Sequence, residues 1–326
     1  MIDMYELPLV LEDFLNYIDT IRGKSENTVK EYHYDLRTFL RFLKIRYRLV
    51  KRDIPFQEID ITDIDIDILK KVNIQDLHAF ISFVDREMDN GNHAKARKVA
   101  SLKSFFKYLN GTVKLIDENP AQNLESPKID YRHPIYLRLD EAKDFLDSID
   151  GEFKERDYAI MTLFLNCGLR LSELVSIDID KIRGDTLTVI GKGNKERTVY
   201  LNDACINALN KYIQVRPNEN LRDEKALFIS KRKNRISTQT VQYAVKKYIE
   251  KIGLDKSKFS PHKLRHTAAT LMYKHGNVDI RALQQILGHE NVSTTQIYTH
   301  VDDEVLRKAV KKQSFIRKLI NHKNIM

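Results

Sequence analysis

The segment "LGHENVSTTQIYTH" sets His289 ahead of Tyr298, and a tyrosine hydroxyl can act as a nucleophile once something takes its proton. A free phenol has a pKa near 10, so only about one in a thousand is ionised at neutral pH. Attack therefore needs a base and a cationic surround that favours phenolate. Three other segments supply such groups. "CGLRLSEL" places Arg170 at the start of a helix after a turn at Gly168, where free helix N–H groups add their own positive potential. "GKGNKER" carries Lys192 at the tip of an expected hairpin, and "SPHKLRHTAAT" puts His262, Arg265 and His266 on one helix face. This set suits a phosphodiester best, because two arginines can clamp its non-bridging oxygens and offset transition-state charge. Taken singly, Arg170 reads as a surface arginine and Tyr298 as one of many packing tyrosines. The set, in this order, is what points to chemistry.

Two other chemistries fit less well. A phosphate loop needs four residues between its first glycine and a Gly-Lys-Ser/Thr end, followed by a helix, and "GKGNKER" has neither. His262 and His266 stand four apart, as in a zincin helix, but Lys263 follows His262 where a zincin carries its glutamate base. A structural role for His266 is the better reading, and no metal or cofactor is expected.

Elements must hold these groups, and the chain has the material. At 326 residues it is long enough for two cores. The formal charge of +9 and pI of about 9.2 favour a polyanionic partner, although charge alone also fits a solubilising surface. No apolar run approaches a membrane span and no signal peptide is visible, while Cys167 and Cys205 show neither metal spacing nor a disulfide framework. A cytoplasmic setting is expected.

Apolar spacing predicts helices over 9–21, from about 28 to 43 with Thr28 and Glu31 as a capping box, over 74–89 and over 93–109. The last carries Lys95, Arg97, Lys98, Lys103 and Lys107 on its outer side, a face that is either solvated or laid along phosphates. "EIDITDIDIDI" alternates with period two, locally a strand signal, and reads as an insertion pointing away from any nucleic acid. Gly111, Pro120, Pro127 and Pro134 mark a linker over 111–134. Beyond it, helices are expected near 139–149, 155–167, 170–177, 203–215, 237–252, 261–275 and 279–287, with "TLTVI" and "RTVYL" as a hairpin around "GKGNKE". After Tyr298, "DDEVLRKAVKKQSFIRKLI" reads as an amphipathic helix.

Arg170, Lys192, "HKLRH", "LGH" and Tyr298, together with the phrase "NPAQNLESPK", resemble the tyrosine recombinases, also called the lambda-integrase family, and most of all their Xer-like branch. The resemblance spans nearly the whole chain and is most specific from about Ile135 onward. It implies a mainly α protein with a small β-sheet: a helical, SAM-like core-binding domain over 1–110, the linker, and an α+β catalytic domain over 135–326. It further implies that Tyr298 forms a 3′-phosphotyrosyl link, that Arg170 and Arg265 bind the scissile phosphate, and that Lys192 protonates the leaving 5′-oxygen. His262 would assist proton transfer, His289 would hydrogen-bond the phosphate, and Glu173 would brace the site. The implied partners are double-stranded DNA and a recombinase tetramer on two sites, joined through the terminal helix, with a septal DNA translocase as a further candidate. The segment from about Arg46 to Val72 is longer than in compact relatives. Competing readings are a type IB topoisomerase, a DNA-binding protein without chemistry, and a metal-dependent hydrolase.

Overall fold

The computed structural model describes residues 6–128, 135–191, 195–276, 278–288 and 295. The chain divides into two compact units, Met1–Tyr131 and Arg132–Met326.

The first unit is helical. Its elements are α1 (Leu9–Asn16), continued by a wider π turn over Tyr17–Ile21, then α2 (Glu26–Arg46), α3 (Ile66–Lys70), α4 (Ile74–Arg86) and α5 (Asn92–Lys107). Phe14, Phe39, Phe80, Phe105 and Phe106 fill the core between them. Helix α2 starts earlier than the capping pattern at Thr28 suggests. Ser25 is the N-cap, accepting from the Thr28 amide at 3.4 Å, while the Thr28 hydroxyl pairs with Ser25 Oγ. Ile116, Ala121 and Leu124, within the stretch read as a linker, pack into this core.

Two local sequence signals resolve differently here. The alternating acidic segment forms no strand: a 3₁₀ turn at Phe56–Glu58 leads through a bend into α3. Ile59, Ile61, Ile64 and Leu69 are buried as the pattern implies. The aspartates, however, take local hydrogen bonds: Asp60 accepts from the Thr62 amide, and Asp65 caps α3 at the Ile68 amide, each at 3.0 Å. The basic face of α5 is also largely committed. Lys98 is buried with its ammonium 2.9 Å from Asp35 on α2, Arg97 lies 2.7 Å from the same carboxylate, and Lys95 pairs with Asp85. Leaving the buried Asp35 without a cation would be strongly destabilising, so Arg97 and Lys98 are tied to the fold. Among the described residues Lys103 and Lys107 have no ion pair.

The second unit packs α6 (Leu139–Asp147), α7 (Lys154–Cys167), α8 (Leu171–Val175), α9 (Asp203–Val215), α10 (Thr238–Lys251), α11 (Pro261–His275) and α12 (Ile280–Leu287) with an antiparallel sheet β1–β2–β3. Strands β2 (Thr186–Ile190) and β3 (Glu196–Tyr200) are the expected hairpin, with Val189 opposite Arg197. The short β1 (Ile182–Arg183) is an addition that its length hides from sequence. Helix α7 is buried nearly all round, through Ala159, Ile160, Met161, Leu163, Phe164 and Leu165, which marks it as the central element. Against α9 its Cys167 sulfur lies 3.7 Å from that of Cys205, both as free thiols, a proximity their spacing does not disclose.

Candidate active site

Arg170, Glu173, Arg197, His262 and Arg265 come together where α7 ends, α8 begins and α12 ends. Each arrives by a local rule. Helix α7 stops because Gly168 turns left-handed (φ +58°), and a Cβ there would meet the Leu287 side chain at 2.7 Å. Glycine therefore ends the helix and also admits α12. Arg170 follows as the residue capping α8: its own amide donates to Glu173 Oε2 at 2.8 Å, and its Nη1 lies 2.7 Å from Oε1. Helix α11 begins with Ser260 accepting from the Lys263 amide and Pro261 in the first turn, which carries Arg265 inward and leaves His262 on the open side.

Three guanidinium groups meet the last carbonyls of α12. Arg197 Nη1 donates to Ile286 O at 2.6 Å, Arg265 Nη2 to Leu287 O at 2.6 Å, and Arg170 Nη2 to Gly288 O at 2.8 Å. Arg265 Nη1 also donates to Gly168 O at 2.6 Å. The final carbonyls of a helix have no partner within it and carry its negative end, so cations belong there. Packing supports the contact: Leu283 and Leu287 bury against Ala269 of α11.

Glu173 is the counter-charge. Its carboxylate is fully buried and also meets Arg197 Nη2 at 2.9 Å. Burial alone would raise its pKa, but Arg197 and Arg170 outweigh burial and hold it below the ordinary carboxylate value. One carboxylate thus faces Arg170 and Arg197, with Arg265 close by, and the cluster keeps a net positive charge suited to an anion. The His262 ring stacks edge-on to His266 with centroids 4.5 Å apart. Crowding by protein atoms, then Arg265, Lys263 and Arg170, lower its pKa, so His262 is neutral at neutral pH and can accept a proton. Among the described residues, no three His, Cys, Asp or Glu side chains converge as a metal site requires.

The chain as a whole has known relatives. The Phage integrase family matches residues 136–305, and its N-terminal SAM-like domain matches residues 11–53. Tyrosine recombinase XerC of Caldanaerobacter subterraneus subsp. tengcongensis is 62% identical over 94% of this chain and 86% of that protein. The chain belongs to the phage integrase family, as a Xer-like tyrosine recombinase. Tyrosine recombinase XerD of Proteus mirabilis is 35% identical, over 92% of this chain and 90% of its own. The fold matches a crystal structure of XerH recombinase bound to palindromic difH substrate with a TM-score of 0.70, at 22% identity, covering 92% of this chain and 83% of that one. Membership makes the chain a DNA strand-exchange enzyme of site-specific recombination.

Of the residues the sequence singles out, the recombinase brings Arg170, Glu173, His262 and Arg265 together, with His266 beside His262. Lys192, His289, Tyr298 and the terminal helix after it lie outside the described residues. Arg197 is the member that sequence reading missed. It stands inside the quoted motif "GKGNKER", and its place on β3, opposite an inward Val189, was the available signal. An arginine on a half-exposed strand ordinarily reads as a solvated edge.

Proposed function

We propose that this recombinase cuts and rejoins duplex DNA with Tyr298 as nucleophile. The tyrosine oxygen bonds to the scissile phosphorus, the bond to the 5′-oxygen breaks, and the product is a 3′-phosphotyrosyl link plus a 5′-hydroxyl. Arg170 and Arg265 bind the phosphate and Lys192 delivers a proton to the leaving 5′-oxygen. His262 assists proton transfer at the tyrosine, His289 hydrogen-bonds the phosphate, and Glu173 braces the arginines. A 5′-hydroxyl of a second strand then reverses the step, which conserves bond energy and uses no ATP. The observation that carries this reading is the convergence of Arg170 and Arg265 on the end of α12, one residue before His289 in the sequence.

The reading extends to residues 1–110 as a core-binding domain and 135–326 as the catalytic domain. Both would engage duplex DNA, in a tetramer on two sites passing through a Holliday junction. The biological role is Xer-like resolution of chromosome dimers in the cytoplasm, or integration and excision of a mobile element, with a septal DNA translocase as a candidate partner in the first case.

The test is a nicked suicide duplex carrying a Xer-type site, incubated with the protein and a chelator and resolved on a denaturing gel. A covalent protein–DNA adduct that disappears in Tyr298→Phe is the expected result. An adduct that persists in Tyr298→Phe, or duplex binding with no adduct from the unaltered protein, overturns the assignment.

A further inference from the structure

We infer that Arg197 is a positioning residue of the strand-exchange reaction, joining Glu173 to the end of α12 so that Arg170 and the chain entering His289 keep one fixed spacing. The inference rests on the tyrosine-cleavage reading above.

Arg197 reaches the site from β3, an element that supplies no other group to it among the described residues. All three nitrogen positions of its guanidinium are bonded to protein: Nη2 to Glu173 Oε2 at 2.9 Å, Nε to Glu173 Oε1 at 3.4 Å, and Nη1 to Ile286 O at 2.6 Å. Its side chain is 16% exposed, against 32% for Arg170 on the same carboxylate. Arg197 is shaped to hold two acceptors, the Glu173 carboxylate and the Ile286 carbonyl, at a set separation, which the rigid fork of arginine does and the single ammonium of lysine cannot.

One glycine fits this role. Gly288 lies left-handed (φ +63°), and a Cβ there would stand 2.9 Å from Arg197 Cδ and 3.1 Å from its Nε, so the arginine stem occupies the space a side chain would need. Gly191, at the base of the hairpin that carries Lys192 in sequence, lies beside Glu173. Its amide donates to Lys195 O at 2.7 Å, closing the hairpin stem just before β3. Arg197 therefore connects the hairpin, the buried carboxylate and the α12 terminus. Without it Glu173 keeps Arg170 alone, and the Ile286 carbonyl loses its side-chain donor.

The experiment compares Arg197→Lys and Arg197→Ala with the unaltered protein in three measurements: duplex affinity at fixed salt, single-turnover cleavage of the suicide duplex at saturating protein, and hydrogen exchange in the last turn of α12. The expected result is cleavage about tenfold to a hundredfold slower, the range that a misplacement of reacting groups produces, with affinity within about twofold and faster exchange at the end of α12. Arg197→Lys, which keeps the charge, is expected to share the cleavage defect and decides the matter if the alanine variant does not fold. Cleavage at the unaltered rate in the lysine variant overturns the inference, and so does a loss of affinity in proportion to the loss of rate. Should the unaltered protein form no adduct, the tyrosine reading fails on its own, and unchanged exchange in α12 then overturns the Arg197 inference separately.

Discussion

Replacing Gly288 with alanine separates backbone strain from a lost active-site contact, because the structure holds its own control. Gly288 (φ +63°) and Gly253 (φ +76°) both lie in the left-handed region after a helix, and at Gly253 an added Cβ meets nothing within 4 Å. Gly253→Ala should therefore cost only the left-handed penalty, about 1–2 kcal/mol, and leave cleavage unchanged. Gly288→Ala incurs the same penalty and also drives a methyl to 2.9 Å from Arg197 Cδ, a contact that forces the arginine to shift. Overpacking of that kind typically costs about 1–3 kcal/mol, so the total loss should be about 2–5 kcal/mol. A shift of Arg197 lengthens its bonds to Ile286 O and Glu173, now 2.6 and 2.9 Å, and frees the α12 end that also receives Arg170 and Arg265. If about 1.4 kcal/mol of that displacement reaches the transition state, cleavage slows about tenfold. Urea unfolding of both variants reads the stability difference, and single-turnover cleavage of a suicide duplex reads the rate. Equal stability losses in the two variants, with Gly288→Ala cleaving at the unaltered rate, would show that the arginine stem does not fill that space.

Two further predictions concern protons. Crowding and the charges of Arg265, Lys263 and Arg170 depress His262, so the cleavage rate should hold through neutral pH and fall only below the ordinary histidine value of 6.5. Lys263→Met removes one of those cations, and the acid limb of the pH–rate profile should move upward; a limb that stays in place would refute His262 as its source. His33 on α2 is 6% exposed with an unpartnered Nδ1, and burial, then Arg37 and Arg41, lower its pKa to about 4. Between pH 6.5 and 4 the unfolded chain takes up a proton that the folded chain refuses, so stability falls as pH falls, by about 3 kcal/mol once both values are crossed. His33→Gln should flatten that part of the urea-midpoint profile, and an identical slope in the variant would contradict the assignment.

The sequence by itself determined a great deal here. The sequence reading located α9 and α11 at the residues where they occur, and the structure shows Asn202 and Ser260 as their N-caps. The chemical types of Arg170, Glu173, His262 and Arg265 likewise reflect short motifs that read in one dimension. The tertiary structure decided what those groups do with their charges. The period-two pattern of the aspartate-rich segment correctly marked buried isoleucines but not a strand, because a strand needs a neighbour to pair with, and no pattern along one segment supplies it. Arg97 and Lys98 of α5 looked free until α2 brought Asp35 against them, and Arg197 looked like an edge residue until α12 delivered its carbonyl. A charge records its own sign in the sequence, whereas its partner is chosen by whichever distant element the core packs beside it. Local rules therefore placed the helices, and long-range packing alone assigned Arg97, Lys98 and Arg197 their work.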